Sequence, residues 1–417
     1  MHPFSLLFLV ALGAATAARL WLSLRHMQHV RAHRDQVPAA FAAEIPASSH
    51  RTAADYTVAK SRLDLVEIPL DALVVLLLTF GGGLAWLDGL LRPQLGDGLL
   101  HGVALIGAVV VLTSAISLPA SVYRTFVIEQ QFGFNKMTPA MFIGDLLRNA
   151  LLGTALGLPL LAAVLWLMGA MGPLWWLYVW AVWVGFNLLV LAVYPTFIAP
   201  FFNKFSPLED SALEARVRTL LERCGFQAQG LFVMDGSRRS AHGNAYFTGL
   251  GAAKRVVFFD TLLSKLSPGE VEAVLAHELG HFKLRHVPKT MIGLFAFSLA
   301  ALALLGWLAG RSGFYAGLGV QPNLGAPNDA LALLLFMLVL PSFAFFVSPV
   351  MAQFSRRNEF QADAFACQHA DGRDLARALL KLHADNASTL TPDPLYVRFY
   401  YSHPPASERL AVLPSPT

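Results

Sequence analysis

Long apolar segments alternate with polar segments along most of the chain, which has 417 residues. A helix needs about 20 consecutive, mostly apolar residues to cross the hydrocarbon core of a bilayer. We predict membrane-spanning helices at residues 3–24, 68–91, 99–120, 149–172, 174–198, 287–310 and 329–351. Only Met1 and His2 precede the first segment, so it lacks the basic start of a signal peptide, and an uncleaved span is favoured over cleavage within residues 14–18.

Basic residues are concentrated in two of the loops between these spans. Residues 25–66 contain six lysines and arginines, namely Arg25, Arg31, Arg34, Arg51, Lys60 and Arg62. Residues 121–148 contain Arg124, Lys136 and Arg148. Because loops rich in lysine and arginine stay in the cytoplasm, we expect the N-terminus to lie outside. Seven spans then place residues 201–286 and 354–417 in the cytoplasm.

The pattern changes character between residues 201 and 286. Apolar residues repeat at helical spacing from Leu213 to Cys224, and short runs typical of strands follow at 231–234, 245–248 and 255–259. We therefore expect a multi-pass α-helical membrane protein with a small cytoplasmic α+β unit. Its predicted parts are 1–200 with spans one to five, 201–286, 287–353 with spans six and seven, and 354–417, which is mostly helical.

The composition supports a membrane protein and excludes other classes. Hydrophobic residues make up 55% of the chain and charged residues only 14%, with a mean hydropathy of +0.53. Soluble proteins have about 25% charged residues. Cys224 and Cys367 form neither a disulfide framework nor a thiolate zinc site. The net charge is +4 and no basic run is interleaved with aromatic residues, so nucleic acid is not an expected partner.

One short stretch concentrates the chemistry: Ala276-His277-Glu278-Leu279-Gly280-His281. Residues four apart share one face of an α-helix, so His277 and His281 can both bind one metal ion. Glu278 would lie beside that ion, where a general base for water belongs. A helix is predicted because residues 267–270 form a capping box with proline at its first position. A chance match is the alternative to a zinc site.

A catalytic zinc has three protein ligands, so a third must come from elsewhere in the chain. Spans six and seven form a hairpin that returns the chain to the same membrane face. His281 would lie about 9 Å before span six on a continuous helix, and Glu359 about 12 Å after span seven. We expect Glu359 to be the third ligand and Asp363, one turn later, to orient a ligand imidazole. A solvated acidic face beside residues 356–357 is the alternative.

These motifs resemble those of the CAAX prenyl protease 1 family of integral-membrane zinc metalloproteases. The resemblance rests on His277 to His281 together with Asn358-Glu359-Phe360-Gln361-Ala362-Asp363. Three further stretches match, namely Phe132-Gly133-Phe134-Asn135-Lys136, Ser240-Ala241-His242-Gly243-Asn244-Ala245-Tyr246-Phe247, and Tyr401-Ser402-His403-Pro404-Pro405 with Glu408-Arg409. The matching positions extend from the loop near residue 125 to the C-terminal part of the chain. The resemblance implies a zinc endopeptidase of gluzincin type with one Zn²⁺ per chain.

The resemblance also implies roles for individual residues. It assigns zinc binding to His277, His281 and Glu359, the general base to Glu278 and the carboxylate behind the ligands to Asp363. Four further positions follow from the resemblance. His403 would act in catalysis near the reaction centre, Asn244 and Ala245 would pair with extended substrate, and Arg409 would lie beside the substrate. The spans of the family enclose a large water-filled chamber with the zinc at its cytoplasmic end.

The expected function is cleavage of peptide bonds near the C-terminus of prenylated CAAX-type or other extended, membrane-associated substrates. A stress-type membrane metalloprotease that degrades misfolded membrane proteins is the enzymatic alternative. A transporter or scaffold is disfavoured, because it has no need of Glu278. The Ala-, Leu- and Arg-rich composition looks bacterial, which favours a bacterial inner membrane over the endoplasmic reticulum. The expected partners are a peptide or protein substrate and the lipid bilayer, and the oligomeric state stays open.

Overall fold

The structure is a computed structural model that describes residues 2–226, 230–248, 255–322 and 328–415. The α-helices of the described part are α1 (Pro3–Ala32), α2 (Ala47–Leu78), α3 (Gly83–Leu95), α4 (Leu99–Tyr123), α5 (Pro139–Ala170), α6 (Trp175–Val193), α7 (Ala199–Phe202), α8 (Ser211–Cys224), α9 (Asp260–Leu263), α10 (Pro268–Lys283), α11 (His286–Ala309), α12 (Ser312–Ala316), α13 (Asp329–Ala344), α14 (Ser348–His369), α15 (Gly372–Asp385), α16 (Pro394–Tyr400) and α17 (Ala406–Leu410). The strands are β1 (Phe205–Pro207), β2 (Gly230–Met234), β3 (Ala245–Thr248) and β4 (Arg255–Phe259).

Six helical stretches within the described residues are long and apolar enough to cross a membrane. They are Pro3–Ala32, Leu99–Glu129, Pro139–Ala170, Gly172–Phe202, His286–Ala309 and Asp329–His369. Their outer faces carry large exposed apolar side chains, among them Val111, Leu151 and Ile292. In water such a surface would aggregate, whereas lipid solvates it. These stretches contain six of the seven predicted spans, and the multi-pass helical class is confirmed.

The predicted span at 68–91 is not a single helix, so the count of seven is not confirmed. α2 ends at Leu78 and α3 begins at Gly83, with Gly82 between them in the left-handed region at φ 77°. A side chain at Gly81 would clash with the backbone of Leu77, at 2.7 Å. Consecutive glycines permit this tight turn, which the apolar pattern alone did not reveal.

The predicted α+β unit is present and forms a second hydrophobic core. Its sheet has the order β1-β2-β4-β3, with β2 and β4 parallel and the two outer pairs antiparallel. The three predicted strands are confirmed, and β1 was missed because it is only three residues long. α8, α10 and α15 contribute the apolar side chains that fill this core, including Leu220, Leu275 and Leu379.

The centre of this unit is the contact between α10 and α14. Leu275, Ala276 and Leu279 of α10 are fully buried. Gly280 lies so close to α14 that a Cβ there would be 3.0 Å from Ala362 Cα and 3.2 Å from Ala362 O. Because the obstacle is backbone rather than a flexible side chain, only glycine permits this approach of the two helices.

α10 does not continue into the next membrane span, contrary to the expected continuous helix. α10 ends at Lys283, and α11 begins at His286 after a tight turn. Arg285 adopts φ 55° and ψ 40°, the left-handed conformation. A non-glycine residue in this conformation costs about 1–2 kcal/mol, so the surrounding structure must hold the turn in place.

The C-terminal part of the chain is attached to the first membrane helix. Asp393 is fully buried, and its carboxylate lies 2.9 Å from Arg25 Nε of α1. Its backbone N–H donates to His26 Nδ1 at 3.2 Å. The His26 ring also stacks on Tyr396 of α16, with ring centroids 4.0 Å apart. These contacts join the two ends of the described chain.

Gly280→Ala should destabilise the protein. The added methyl group must push α14 away, which costs about 1–3 kcal/mol. The better helix propensity of alanine returns only about 1 kcal/mol. The midpoint of thermal unfolding in detergent should therefore fall. Gly293→Ala on α11 is the matched control, because nothing lies within 4 Å of its Cβ, and its midpoint should stay level or rise. Equal midpoints for both variants would contradict the close α10–α14 packing.

Candidate metal centre

The helix α10 presents its two histidines as the sequence predicted. The capping box is formed: Glu270 N donates to Ser267 Oγ at 3.4 Å, and Ser267 N donates to Glu270 Oε2 at 2.7 Å. Pro268 occupies the first turn, where its missing N–H costs nothing. His277 and His281 then lie one turn apart on the face directed at α14, with their Nε2 atoms 3.2 Å apart.

Glu359 of α14 completes a triangle of donor atoms. Its Oε2 lies 3.4 Å from His277 Nε2, and its Oε1 lies 3.3 Å from His281 Nε2. Donor atoms held at about 2.0–2.1 Å from zinc in a tetrahedron lie about 3.3–3.4 Å from one another. The closest contacts among the three side chains match this spacing, although Glu359 turns a different oxygen to each imidazole, and one donor atom from each residue lies within 4.8 Å of the others.

The chemistry of this triangle also fits a cation. Glu359 is only 3% exposed, which argues against the solvated acidic face, and within the described residues its Oε2 has no hydrogen-bond partner. A buried carboxylate oxygen without a partner is costly, and a bound cation would satisfy it. Burial lowers the pKa of His277, but the hydrogen bond to Asp363 and the nearby carboxylate of Glu359 outweigh this effect and raise the pKa to about 9. The site thus favours positive charge.

Asp363 and Arg409 support His277 from behind. Asp363 Oδ1 lies 2.8 Å from His277 Nδ1, as expected for a carboxylate that orients a ligand imidazole. Arg409 is buried and donates from Nε to Asp363 Oδ2 at 2.8 Å and from Nη2 to Oδ1. This forked contact occupies the guanidinium that the resemblance places beside the substrate, although Arg409 still borders the cavity described below.

His281 has a different neighbour, which sequence reasoning missed. Its Nδ1 lies 3.0 Å from Nδ1 of His286, and His286 Nε2 lies 3.0 Å from Gln361 Oε1. Residues five apart on a regular helix point in different directions, so spacing gave no indication of this contact. Only the left-handed Arg285 brings His286 back towards His281.

Glu278 lies beside the donor triangle without belonging to it. Burial raises the pKa of Glu278, and the neighbouring imidazoles of His277 and His281 partly oppose this shift. A carboxylate with a raised pKa accepts a proton more readily, which suits a general base working near neutral pH.

Glu278 and two members of the donor triangle, His277 and Glu359, open onto one cavity of about 820 Å³. The predicted residues that line it are His277, Glu278, Glu359, Asn244, Ala245, His403 and Arg409. His403 is exposed, and its Nε2 lies 3.5 Å from Glu359 Oε1. His242 and His383 also line the cavity and were not predicted, because nothing in their spacing distinguishes them. Such a cavity is large enough for a peptide segment of several residues.

Asn244 and Ala245 stand at the edge of the sheet that faces the cavity. No described strand pairs with the outer side of β3. Asn244 O accepts from Phe259 N at 3.0 Å, so by antiparallel alternation the backbone groups of Ala245 and Phe247 point outward. Ala245 N–H donates to the Asn244 side chain at 2.8 Å. Among the described residues no strand occupies the remaining outward groups, so they can pair with an extended chain.

Comparison with known proteins identifies the family. Residues 26–204 match the family described as CAAX prenyl protease N-terminal, five membrane helices, and residues 207–417 match Peptidase family M48. The chain is similar to the CAAX prenyl protease 1 homolog of Arabidopsis thaliana, at 37% identity over 86% of this chain and 85% of the relative. It is similar to the CAAX prenyl protease 1 homolog of Homo sapiens, at 33% identity over 72% of this chain and 71% of the relative.

A solved structure agrees over the whole length. The crystal structure of S. mikatae Ste24p matches with a TM-score of 0.92 at 29% identity, covering 99% of each chain. The resemblance seen in the motifs is thereby confirmed, and a metal cofactor follows from membership of a metallopeptidase family. The chain belongs to the CAAX prenyl protease 1 family of membrane metallopeptidases.

Proposed function

We propose that this protein is a zinc endopeptidase that cuts extended, membrane-associated peptides near their C-terminus, with prenylated CAAX-type sequences as the substrate class. The observation that carries the proposal is the placement of Glu278 and the outer edge of β3 around the cavity onto which the donor triangle opens through His277 and Glu359. The names of the relatives, CAAX prenyl proteases, support the substrate class.

His277, His281 and Glu359 would hold a single Zn²⁺, since two imidazoles and a carboxylate are the ligand set of many catalytic zinc sites. Asp363 keeps the hydrogen of His277 on Nδ1 and leaves the Nε2 lone pair free for the metal. Arg409 fixes Asp363 through its forked contact, so we assign it a positioning role as well as a place at the cavity wall. When bound, zinc supplies Lewis acidity towards water and towards a carbonyl oxygen.

Glu278 acts as the general base. It takes a proton from the attacking water and later delivers it to the amine of the leaving peptide, so the same carboxylate serves both halves of the hydrolysis. His403, on the cavity side of Glu359, donates a hydrogen bond to the negative oxygen that develops on the scissile carbonyl. These two residues do not hold the metal.

The edge of β3 selects the form of the substrate. Outward backbone groups at Ala245 and Phe247 pair only with main chain that is itself unpaired, so a folded domain is excluded and an extended segment is bound. Asn244 holds the Ala245 N–H until a substrate carbonyl replaces it. A lipid anchor adds binding energy, because each methylene transferred from water into the membrane contributes about 0.8 kcal/mol.

The proposed arrangement in the membrane follows the distribution of basic loops. The N-terminus lies outside, and the parts at 201–286 and 354–417 lie together in the cytoplasm, flanked by the membrane parts at 1–200 and 287–353. A bacterial inner membrane stays our prediction from composition, although the relatives named above come from a plant and a human. A water-filled chamber between the spans is likewise a prediction from the family resemblance.

Glu359→Ala should remove metal from the purified protein. Loss of one of three ligands should weaken zinc binding by more than the roughly 10- to 100-fold that loss of an outer partner costs. Zinc per chain is measured by elemental analysis after dialysis. Glu272→Ala is the control: this buried glutamate of α10 pairs with Arg216 and Arg223 away from the site, so its loss should lower stability but keep zinc. Unchanged zinc in Glu359→Ala would refute the ligand assignment.

Glu278→Gln should retain zinc and lose about 10²–10⁴-fold in kcat, because glutamine keeps the shape of the base but accepts no proton. The substrates are a farnesylated peptide that ends in a CAAX sequence and the same peptide without the lipid. Mass spectrometry should find cleavage after the modified cysteine or one bond later, faster for the lipidated peptide. Slow cleavage of both peptides, with rapid cutting of an unfolded membrane protein at internal sites, would favour the quality-control function instead.

Single cysteines at Ser48, Ser312 and Ser388 should report the orientation, because all three positions are exposed. The background carries neither Cys224 nor Cys367. In sealed cells a membrane-impermeant maleimide should label position 312 only, and after permeabilisation it should label all three. Labelling of 312 on the same side as 388 would break the hairpin that brings Glu359 to His277.

A further inference from the structure

We infer that His286, itself held by Gln361, is a positioning residue that fixes the metal ligand His281 in the one tautomer able to bind metal. The inference rests on the proposed metal centre and gives His286 and Gln361 a role that neither the motifs nor the family comparison assigns to them. It concerns the side of the centre opposite Asp363, where the described residues place His286, and no carboxylate, against Nδ1 of His281.

Three side chains form an unbroken line of contacts away from the donor triangle. His281 turns Nε2 towards His277 Nε2 and Glu359 Oε1, at 3.2 and 3.3 Å. The opposite nitrogen, Nδ1, lies 3.0 Å from His286 Nδ1, and His286 Nε2 lies 3.0 Å from Gln361 Oε1. His286 is only 3% exposed, so water does not replace these contacts.

Gln361, the member of this line farthest from the donor triangle, determines the direction of the hydrogen bonds. With the amide oxygen of Gln361 directed at His286 Nε2, as the structure places it, that oxygen can only accept, which assigns the hydrogen of His286 to Nε2. His286 Nδ1 then carries a lone pair and accepts from Nδ1–H of His281. The His281 Nε2 lone pair is consequently free and directed at the donor triangle, as metal binding requires.

If the hydrogen bonds from Gln361 to His281 ran in the opposite direction, His281 could not bind a metal. If the Gln361 amide were reversed, its NH₂ group would donate to His286 Nε2, and His286 Nδ1–H would donate to His281. The hydrogen of His281 would then sit on Nε2, between the donor atoms, and block ligation. Of the two directions, only the one in which Gln361 accepts leaves His281 able to bind metal.

The backbone is built to allow this contact. On an uninterrupted helix, residues five apart are about 140° apart around the axis, so His286 would point away from His281. The left-handed Arg285, at φ 55°, ends α10 and turns the chain back. A strained residue that persists beside a reactive centre indicates that the conformation it creates is used.

The test compares two replacements of His286 in the full-length protein. His286→Leu removes the acceptor, whereas His286→Asn keeps an oxygen close to the place of Nδ1. Zinc affinity is measured in detergent by competition with a chromophoric chelator. We expect a 10- to 100-fold loss for leucine, the range for outer partners of metal ligands, and recovery of most of it with asparagine. Gln361→Leu should show a smaller loss, because His286 remains but its tautomer is no longer fixed.

Two controls separate positioning from folding. His369→Leu removes a histidine whose Nδ1 bonds to Phe365 O of its own helix, so zinc affinity should stay unchanged. Thermal unfolding without metal should be similar for His286→Leu and His286→Asn. Cobalt-substituted His286→Leu should also show an altered visible absorption spectrum, because the orientation of one ligand changes.

The outcomes are distinct from those of the proposed function. Zinc affinity of His286→Leu within threefold of the wild type would overturn the inference. Equal losses for leucine and asparagine, with equal losses of metal-free stability, would reduce His286 to a structural role and also overturn it. A wild-type protein that binds zinc but cuts no peptide would overturn the proposed function and leave the inference standing.

Discussion

The close contact between α10 and α14 is the constraint on which the metal centre depends. Gly280 lies between the two histidines along α10, and it packs directly against the backbone of Ala362. Glu359 and Asp363 flank this contact on α14, so all four side chains have their positions fixed by one helix–helix distance. Donor atoms 3.2–3.4 Å apart leave no room for a wider separation. Because Gly280 has no Cβ, α10 and α14 can approach closely enough to bring the histidines of α10 and the carboxylates of α14 together.

Charge explains why so many ionisable groups tolerate burial at this contact. The buried guanidinium of Arg409 contacts the carboxylates of Asp363 and Glu359, and Glu278 belongs to the same group of charges. A divalent cation makes the assembly electrically neutral. Without it, His277 provides part of the missing positive charge, which is consistent with its raised pKa. Buried ionic groups are stabilising only when such compensation is complete, so folding of this region and metal binding are coupled.

Local signals in the sequence were sufficient for much of this centre. The capping box and the four-residue histidine spacing predicted α10, and the apolar hairpin directed attention to Glu359 and Asp363. The contact of His286 with His281 was not predictable, because it depends on a backbone conformation that arginine adopts only rarely. Three consecutive glycines, at residues 81–83, indicate the break in the second predicted span. The span was nevertheless predicted as one helix, because the apolar segment is long enough to cross a membrane. The hydrophobic pattern of the sequence thus predicts helices and strands well, whereas the turns between them depend on tertiary contacts.

The attachment of the C-terminal part to the first membrane helix has a consequence for protein engineering. The peptidase half cannot be excised as an independent soluble enzyme. Without α1, the buried carboxylate of Asp393 would lose the charge of Arg25, and Tyr396 would lose the stacked ring of His26. The catalytic cavity would also lose the wall that His26 and Lys60 provide. The bilayer-embedded helices are therefore part of the catalytic unit and not a detachable anchor.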